Sequence, residues 1–172
     1  LLLGDRIVTR VDEMAKGQAE HLIPMLEEML TAESLNWRDL DGIGVGVGPG
    51  NFTGIRISVS AARGLALGLG KPAIGVNGFE ARAHHEDRPY QATIPAPRRQ
   101  SYVQVFAPDG TTSPPAQIDA EAAQQKPAEV LIAATAQIAA ARLDTNAPRP
   151  APLYVRNADA APPRDPAPLI LS

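Results

Sequence analysis

A chain of 172 residues that is 44% hydrophobic but only 4% aromatic can bury one sizeable core, or two small lobes sharing one, filled by aliphatic side chains and alanine. A net charge of −3 argues against a lone nucleic-acid-binding domain. With no cysteine, the sequence excludes disulfides, thiolate zinc sites, iron–sulfur clusters and a cysteine nucleophile, a composition that suits a reducing cytoplasm.

No apolar run approaches the roughly 18 residues of a membrane span, and no secretory signal is visible. The opening "LLLGDRIVTRV" reads as a hairpin turning at Gly4-Asp5, and a strand is expected ahead of it. "GQAEHLIPMLEEMLTAES" carries Ala19, Leu22, Ile23, Leu26, Met29 and Leu30 at helical spacing. Pro24 inside that pattern predicts a kink or a first turn. "NWRDLD" predicts a short helical turn capped by Asn36. "GIGVGVG" (42–48), with glycine alternating with β-branched residues, predicts a buried strand packed close to another backbone. A loop over 48–54 leads to a helix reaching Leu69, and "KPAIGVN" (71–77) is a short strand.

"GFEARAHHED" predicts a helix fading into loop, and "YQATIPA" and "QSYVQVFAPDG" predict paired strands, the second closed by an Asp109-Gly110 turn. "EVLIA" (129–133) reads as a strand and "TAQIAAARL" (135–143) as a helix. The connections in "RAHHEDRPY" and "VLIAATAQIA" are abrupt. Beyond Asn146 only "PLYVRN" (152–157) predicts ordered strand, and the last fifteen residues read as a tail. Alternating strands and helices give an α/β class, divided as 1–90, 91–157 and the Pro/Ala-rich 158–172.

The stretch "GVGPGNFTGIRISVSAARGLALGLG" allows two readings. Gly48, Gly50 and Gly54 permit positive φ or close backbone approach, Thr53 is a candidate cap, and a helix N-terminus favours an anion. Gly48, Gly50, Asn51, Thr53, Gly54 and Arg56 are therefore a candidate phosphate or anion loop. Against this, Gly54, Ser58, Ala61, Ala62, Gly64 and Gly68 leave the helix bare, which serves close packing. Neither a Walker loop nor a dinucleotide-binding fingerprint fits the spacing.

This stretch, with its G-P-G-x-F-T-G-x-R core, resembles the TsaB (YeaZ-like) family of bacterial tRNA N6-threonylcarbamoyladenosine biosynthesis. "HLIPMLEEML" and "PLYVRN" are similar to family segments in the same order. The resemblance covers residues 1–106 well, 150–157 in patches, and 107–145 only by order of elements. It implies an actin-like (ASKHA, ribonuclease-H-like) two-lobed α/β fold whose first strand would precede this hairpin. It implies a noncatalytic scaffold that binds the TsaD enzyme, with TsaE, for threonylcarbamoyl transfer to the adenine beside the anticodon of ANN-decoding tRNAs. Pairing through two helices, here 18–32 and 53–69, makes Ala19, Leu22, Ile23, Leu26, Met29, Leu30, Ser58, Ala61, Gly64 and Gly68 interface residues. The resemblance further implies no cofactor of its own, ATP or ADP only at the partner interface, and tRNA contact only through the complex; the exposed apolar stripe predicts a homodimer when the chain is alone.

In the catalytic relatives a His-x-x-x-His pair holds metal after the strand matching "AIGV". Those positions fall at about Gly78 and Arg82, which offer no ligand. His84-His85 with Glu86 and Asp87 reads as solvated loop, His21 as a boundary residue, Trp37 as packing over the short helix, and Arg98-Arg99 as a weak phosphate contact. Ser58 and Ser60 have no neighbouring base in sequence. The alternative class is an actin-like ATP-binding kinase or a metal-dependent hydrolase.

Overall fold

A computed structural model describes residues 1–121 and 125–155. The hairpin is present as β1 (Leu2–Leu3) and β2 (Arg6–Ile7), antiparallel, with Gly4 at φ 59° in its turn. Helix α1 (Gln18–Ala32) runs through Pro24 as one element, so that proline lies beyond the first turn. A 3₁₀ turn at Trp37–Asp39 follows, where the Asn36 side chain accepts from Arg38 N–H and Asp39 accepts from Asn36 N–H. Trp37 donates from Nε1 to Glu27 Oε1 at 3.3 Å, tying this turn back to α1.

The centre of the molecule is β3 (Ile43–Gly46) paired in parallel with β4 (Ala73–Val76), joined by α2 (Phe52–Leu69). The valine–glycine alternation has a physical explanation in the pleat. Val45 and Val47 turn toward α2 and pack with Ile55, Val59 and Ala62; each such aliphatic burial stabilises by roughly 1.5–3 kcal/mol. Gly44 turns toward α4 (Ala128–Ala140), where an added Cβ would lie 2.7 Å from Ala139 Cβ. On that side Ile74 and Val76 pack with Ala81, Ala134 and Ala139. The sheet is thus sandwiched between α2 and α4, and β1–β2 and β3–β4 are separate two-stranded sheets.

After β4, helix α3 (Gly78–Ala83) is closed by a capping box in which Asn77 Oδ1 accepts from Phe79 and Glu80 N–H, and Glu80 accepts from Asn77 N–H. Arg142 pairs with Glu80 at 2.7 Å and so joins the chain beyond α4 to α3. Strands β5 (Tyr90–Ala96) and β6 (Gln100–Phe106) form the expected hairpin, and β7 (Ala116–Ile118) adds an antiparallel strand to β6. Phe79, Ala83, Ala92, Ile94 and Phe106 form a third core cluster between α3 and this sheet.

Two expectations are corrected. Residues 129–133 are not a strand but the first turns of α4, which also absorbs the abrupt connection near Ala133. Leu131 packs on the core beside Ile74 and Val76 while Val130 and Ile132 stay 47% and 41% exposed, so the apolar run does not follow the buried face and no helical stripe marks it. "PLYV" (152–155) is not a strand; among the described residues one backbone hydrogen bond, Leu153 N–H to Val47 O at 2.7 Å, holds it to the end of β3. The rest of "PLYVRN" and the tail 158–172 lie outside the described residues.

Candidate partner-docking face and glycine loop

The loop between β3 and α2 is built as a joint. Gly48 has φ 98°, and a Cβ there would meet Ile55 Cδ1 at 2.7 Å and Leu153 O at 3.0 Å. Its carbonyl accepts from Gly78 N–H at 2.7 Å, so α3 starts against this loop. Pro49 is buried, whereas Gly50, Asn51, Thr53 and Gly54 are exposed. Thr53 is not the cap: α2 begins at Phe52, and Asn51 Oδ1 accepts from Gly54 N–H at 2.9 Å. Asn51 precedes the first helical residue and reaches the third, as an N-cap side chain must; Thr53 already lies in the first turn.

Arg56 is exposed but engaged. Its guanidinium carbon sits 4.1 Å over the Phe52 ring, and Nε donates to Tyr154 Oη at 3.3 Å. Phe52 and Tyr154 stack with centroids 5.0 Å apart. Two quoted motifs, G-P-G-x-F-T-G-x-R and "PLYV", therefore meet in space through a tyrosine–phenylalanine–arginine stack, with the cation held by the ring faces. Nothing local in the sequence announces that pairing.

The helix faces divide the other candidates. On α2, Ile55, Val59, Ala62 and Ala66 are buried. On the outward side, Gly64 and Gly68 are exposed, and an added Cβ at either would meet nothing within 4 Å. Leu67 between them is 83% exposed. Ser58 and Ala61 are half-buried, and Ser58 Oγ donates to Ile55 O at 3.0 Å. Thus the bareness of α2 at Gly64 and Gly68 is not used by packing among the described residues.

On α1, Ala19 is exposed and Leu22, Ile23, Leu26 and Met29 are half-buried. Leu30 is corrected: at 3% exposed it belongs to the chain's own core, where Ser34 takes φ 57° and Leu35 N–H folds back to Leu30 O. His21, at the edge of the stripe, contacts Asp12 Oδ2 through Nε2 at 2.6 Å, and Arg10 bridges Asp12 and Glu28. The Arg10 and His21 hydrogen bonds hold the Asp12 carboxyl below its usual range. These contacts pin the segment before α1 to its polar side.

At the two positions matching the histidine pair, Arg82 Nη1 donates to Gly78 O at 3.1 Å, and burial lowers the Arg82 pKa. His84 Nε2 lies 3.1 Å from Gln137 Oε1, and the His84 and His85 rings are 3.8 Å apart. Burial first, then the neighbouring His85, lowers the His84 pKa, with the Gln137 hydrogen bond opposing. Among the described residues no group of three or more His, Asp or Glu side chains converges as a metal site.

A family model described as "TsaD: tRNA N6-adenosine threonylcarbamoyltransferase" matches residues 12–153. The chain belongs to this family. Its kinship with the TsaB branch is shown by the TsaB protein of Escherichia coli, 38% identical over 62 residues, 36% of this chain and 27% of that one. A tRNA N6-adenosine threonylcarbamoyltransferase of Jannaschia sp. is 45% identical over 69 residues, 40% of this chain and 19% of that one. The chain therefore matches only about a fifth to a quarter of the length of these two relatives. The structure of YeaZ from Pseudomonas aeruginosa superposes with a TM-score of 0.66 at 23% identity, covering 89% of this chain and 91% of that one. The fold is accordingly TsaB-like, of the actin-like, ribonuclease-H-like class, and the family is one of tRNA threonylcarbamoyladenosine biosynthesis.

Proposed function

We propose that this chain is a noncatalytic scaffold of tRNA threonylcarbamoyladenosine biosynthesis that presents α1 and α2 to a TsaD-type enzyme. The observation that carries the reading is the outward face of α2. Gly64 and Gly68 have open space beside them and flank an 83% exposed leucine. Two exposed helical glycines cost about 1 kcal/mol each relative to alanine, and nothing among the described residues recovers that cost. A facing helix would recover it, because small residues let helix axes approach closely. The half-buried stripe Leu22, Ile23, Leu26 and Met29 on α1 supplies the apolar area beside it.

In this reading a TsaE-type protein completes the assembly and tRNA is met only through it, in the cytoplasm. ATP or ADP belongs at the partner interface, near the loop 48–56, with no cofactor bound by the chain alone. Without its partner, the chain covers the same face by forming a homodimer.

The test is a calorimetric titration of the chain with the TsaD protein of the same organism, with and without ATP. Saturable one-to-one binding is expected. Absence of binding at high micromolar concentration would overturn the scaffold reading. Tight Mg·ATP binding with turnover by the chain alone would favour an actin-like kinase instead.

A further inference from the structure

The stack of Tyr154 on Phe52 forms one wall of a cleft of about 420 Å³ that the proposed scaffold role does not use. Its other walls come from the glycine loop and the β5–β6 hairpin: Pro49, Pro95, Pro97 and Tyr102. Phe52 and Tyr154 remain 38% and 40% exposed, and Tyr102 is half-buried. Three aromatic rings thus line one open groove, and ring faces of this kind receive flat, unsaturated groups.

The cation at this wall is held in place but only partly used. Arg56 lies 4.1 Å over the Phe52 ring and donates from Nε to Tyr154 Oη at 3.3 Å. Its two Nη groups bond to nothing among the described residues. A guanidinium fixed through one nitrogen keeps a planar fork of donors, and such a fork matches a phosphate. The hairpin tip adds no excess charge. Arg99 pairs with Glu121 at 3.6 Å, and Gln100 beside it donates to Asp119 at 2.6 Å, so Arg98 and Arg99 stand against two acids. The group that seeks an anion is Arg56.

Resting on the proposed role in tRNA modification, we propose that the Phe52–Tyr102–Tyr154 cleft holds an unpaired stretch of RNA, with bases on the rings and one phosphate on Arg56. Base–aromatic stacking is tolerant of sequence because every base has a π face. Three rings to one arginine fork suit a strand, in which each base brings one phosphate. A free triphosphate brings three phosphates to one base and calls for more cation than this chain supplies there. An apolar peptide would cover the Arg56 fork and leave it unpaired. The net charge of −3 keeps the contact weak in the chain alone. Inside an assembly it adds to contacts made by the partner, as linked sites do.

The experiment titrates the isolated chain with single-stranded octauridylate and follows backbone amide NMR signals. It needs no TsaD-type enzyme, so failure to bind RNA and failure to dock on that enzyme are separate results. We expect saturable shifts at residues 50–56 and 98–102. Tyr154→Ala should weaken binding about tenfold, and Tyr154→Phe, which keeps the ring, should retain most of it. Arg56→Ala should weaken binding and lower its salt dependence by about one phosphate. Arg63→Ala, two turns further along α2 and exposed, should change neither. Where Tyr154→Ala fails to fold, Tyr154→Phe and Arg56→Ala carry the test. Absence of shifts at millimolar octauridylate would overturn the proposal. So would equal weakening by Arg63→Ala, which would make the contact one of general charge. The same shifts produced at lower concentration by ATP, inorganic phosphate or octaglutamate would overturn it too, assigning the cleft to a free nucleotide, a lone anion or an acidic peptide.

Discussion

The glycines of β3 and its following loop differ from those of α2 in what surrounds them. At Gly44 an added methyl would collide with Ala139, and at Gly48 with Ile55 and the Leu153 carbonyl, the latter at a backbone φ of 98°. At Gly64 and Gly68 it would meet open space. The first pair are required by the fold of this chain. The second pair weaken the helix that carries them. Within one short stretch of sequence, glycine serves internal closure in the first pair and leaves a bare, uncovered helix face in the second.

Substitution to alanine should separate the two. The largest effect is expected at Gly48→Ala, which combines left-handed strain with overpacking and should destabilise by about 3 kcal/mol in urea unfolding. Gly44→Ala, overpacked but unstrained, should cost about 1–3 kcal/mol. If either variant were as stable as the parent, the joint would be more plastic than its geometry implies. In the opposite direction, Gly64→Ala with Gly68→Ala should stabilise the chain alone by about 2 kcal/mol in total, while weakening its binding to a TsaD-type partner in the same titration. Stabilisation with unchanged binding would break the link between bareness and approach. Leu67→Glu sharpens the point, since at 83% exposure it should leave unfolding within about 0.5 kcal/mol of the parent and still abolish association.

The smallest effect belongs to His84. Its pKa in the folded chain lies below the ordinary 6.5 because burial disfavours the cation. As pH falls through 6.5 the unfolded chain takes up the proton first, so stability falls, and the loss ends once pH passes the folded value. A proton NMR titration of His84 should show the lowered midpoint, and a parallel denaturation series should show a small decline between pH 7 and 5.5. A midpoint at or above 6.5 would contradict the burial argument.

What was legible in the sequence follows from periodicity. Helices α1 and α2 and strand β3 set more buried positions against exposed ones, so their patterns are clean, and the β1–β2 hairpin was legible from its Gly4-Asp5 turn. Helix α4 was illegible because Val130 and Ile132, apolar yet exposed, blur its helical stripe and imitate a strand. Asn51 and Thr53 are both good caps two residues apart, and only the reach of Asn51 Oδ1 to Gly54 decides between them. Leu30 fits the α1 stripe as well as Leu26 does; its burial depends on the fold-back at Ser34 and Leu35. The Arg56–Phe52–Tyr154 stack joins residues about a hundred positions apart, a distance across which no local pattern carries information.

The bond from Leu153 to Val47 bears on synthesis as much as on the finished molecule. Strand β3 leaves the ribosome early, yet its closing hydrogen bond and the α4 layer over Gly44 come from far downstream. At translation rates of about 5–20 residues per second, the valine–glycine strand waits on the order of 5–20 seconds for the residues that complete it. During that interval it is an apolar, incompletely paired edge on a nascent chain. The step most exposed to misassembly is therefore the wait of residues 43–47 for their C-terminal cover.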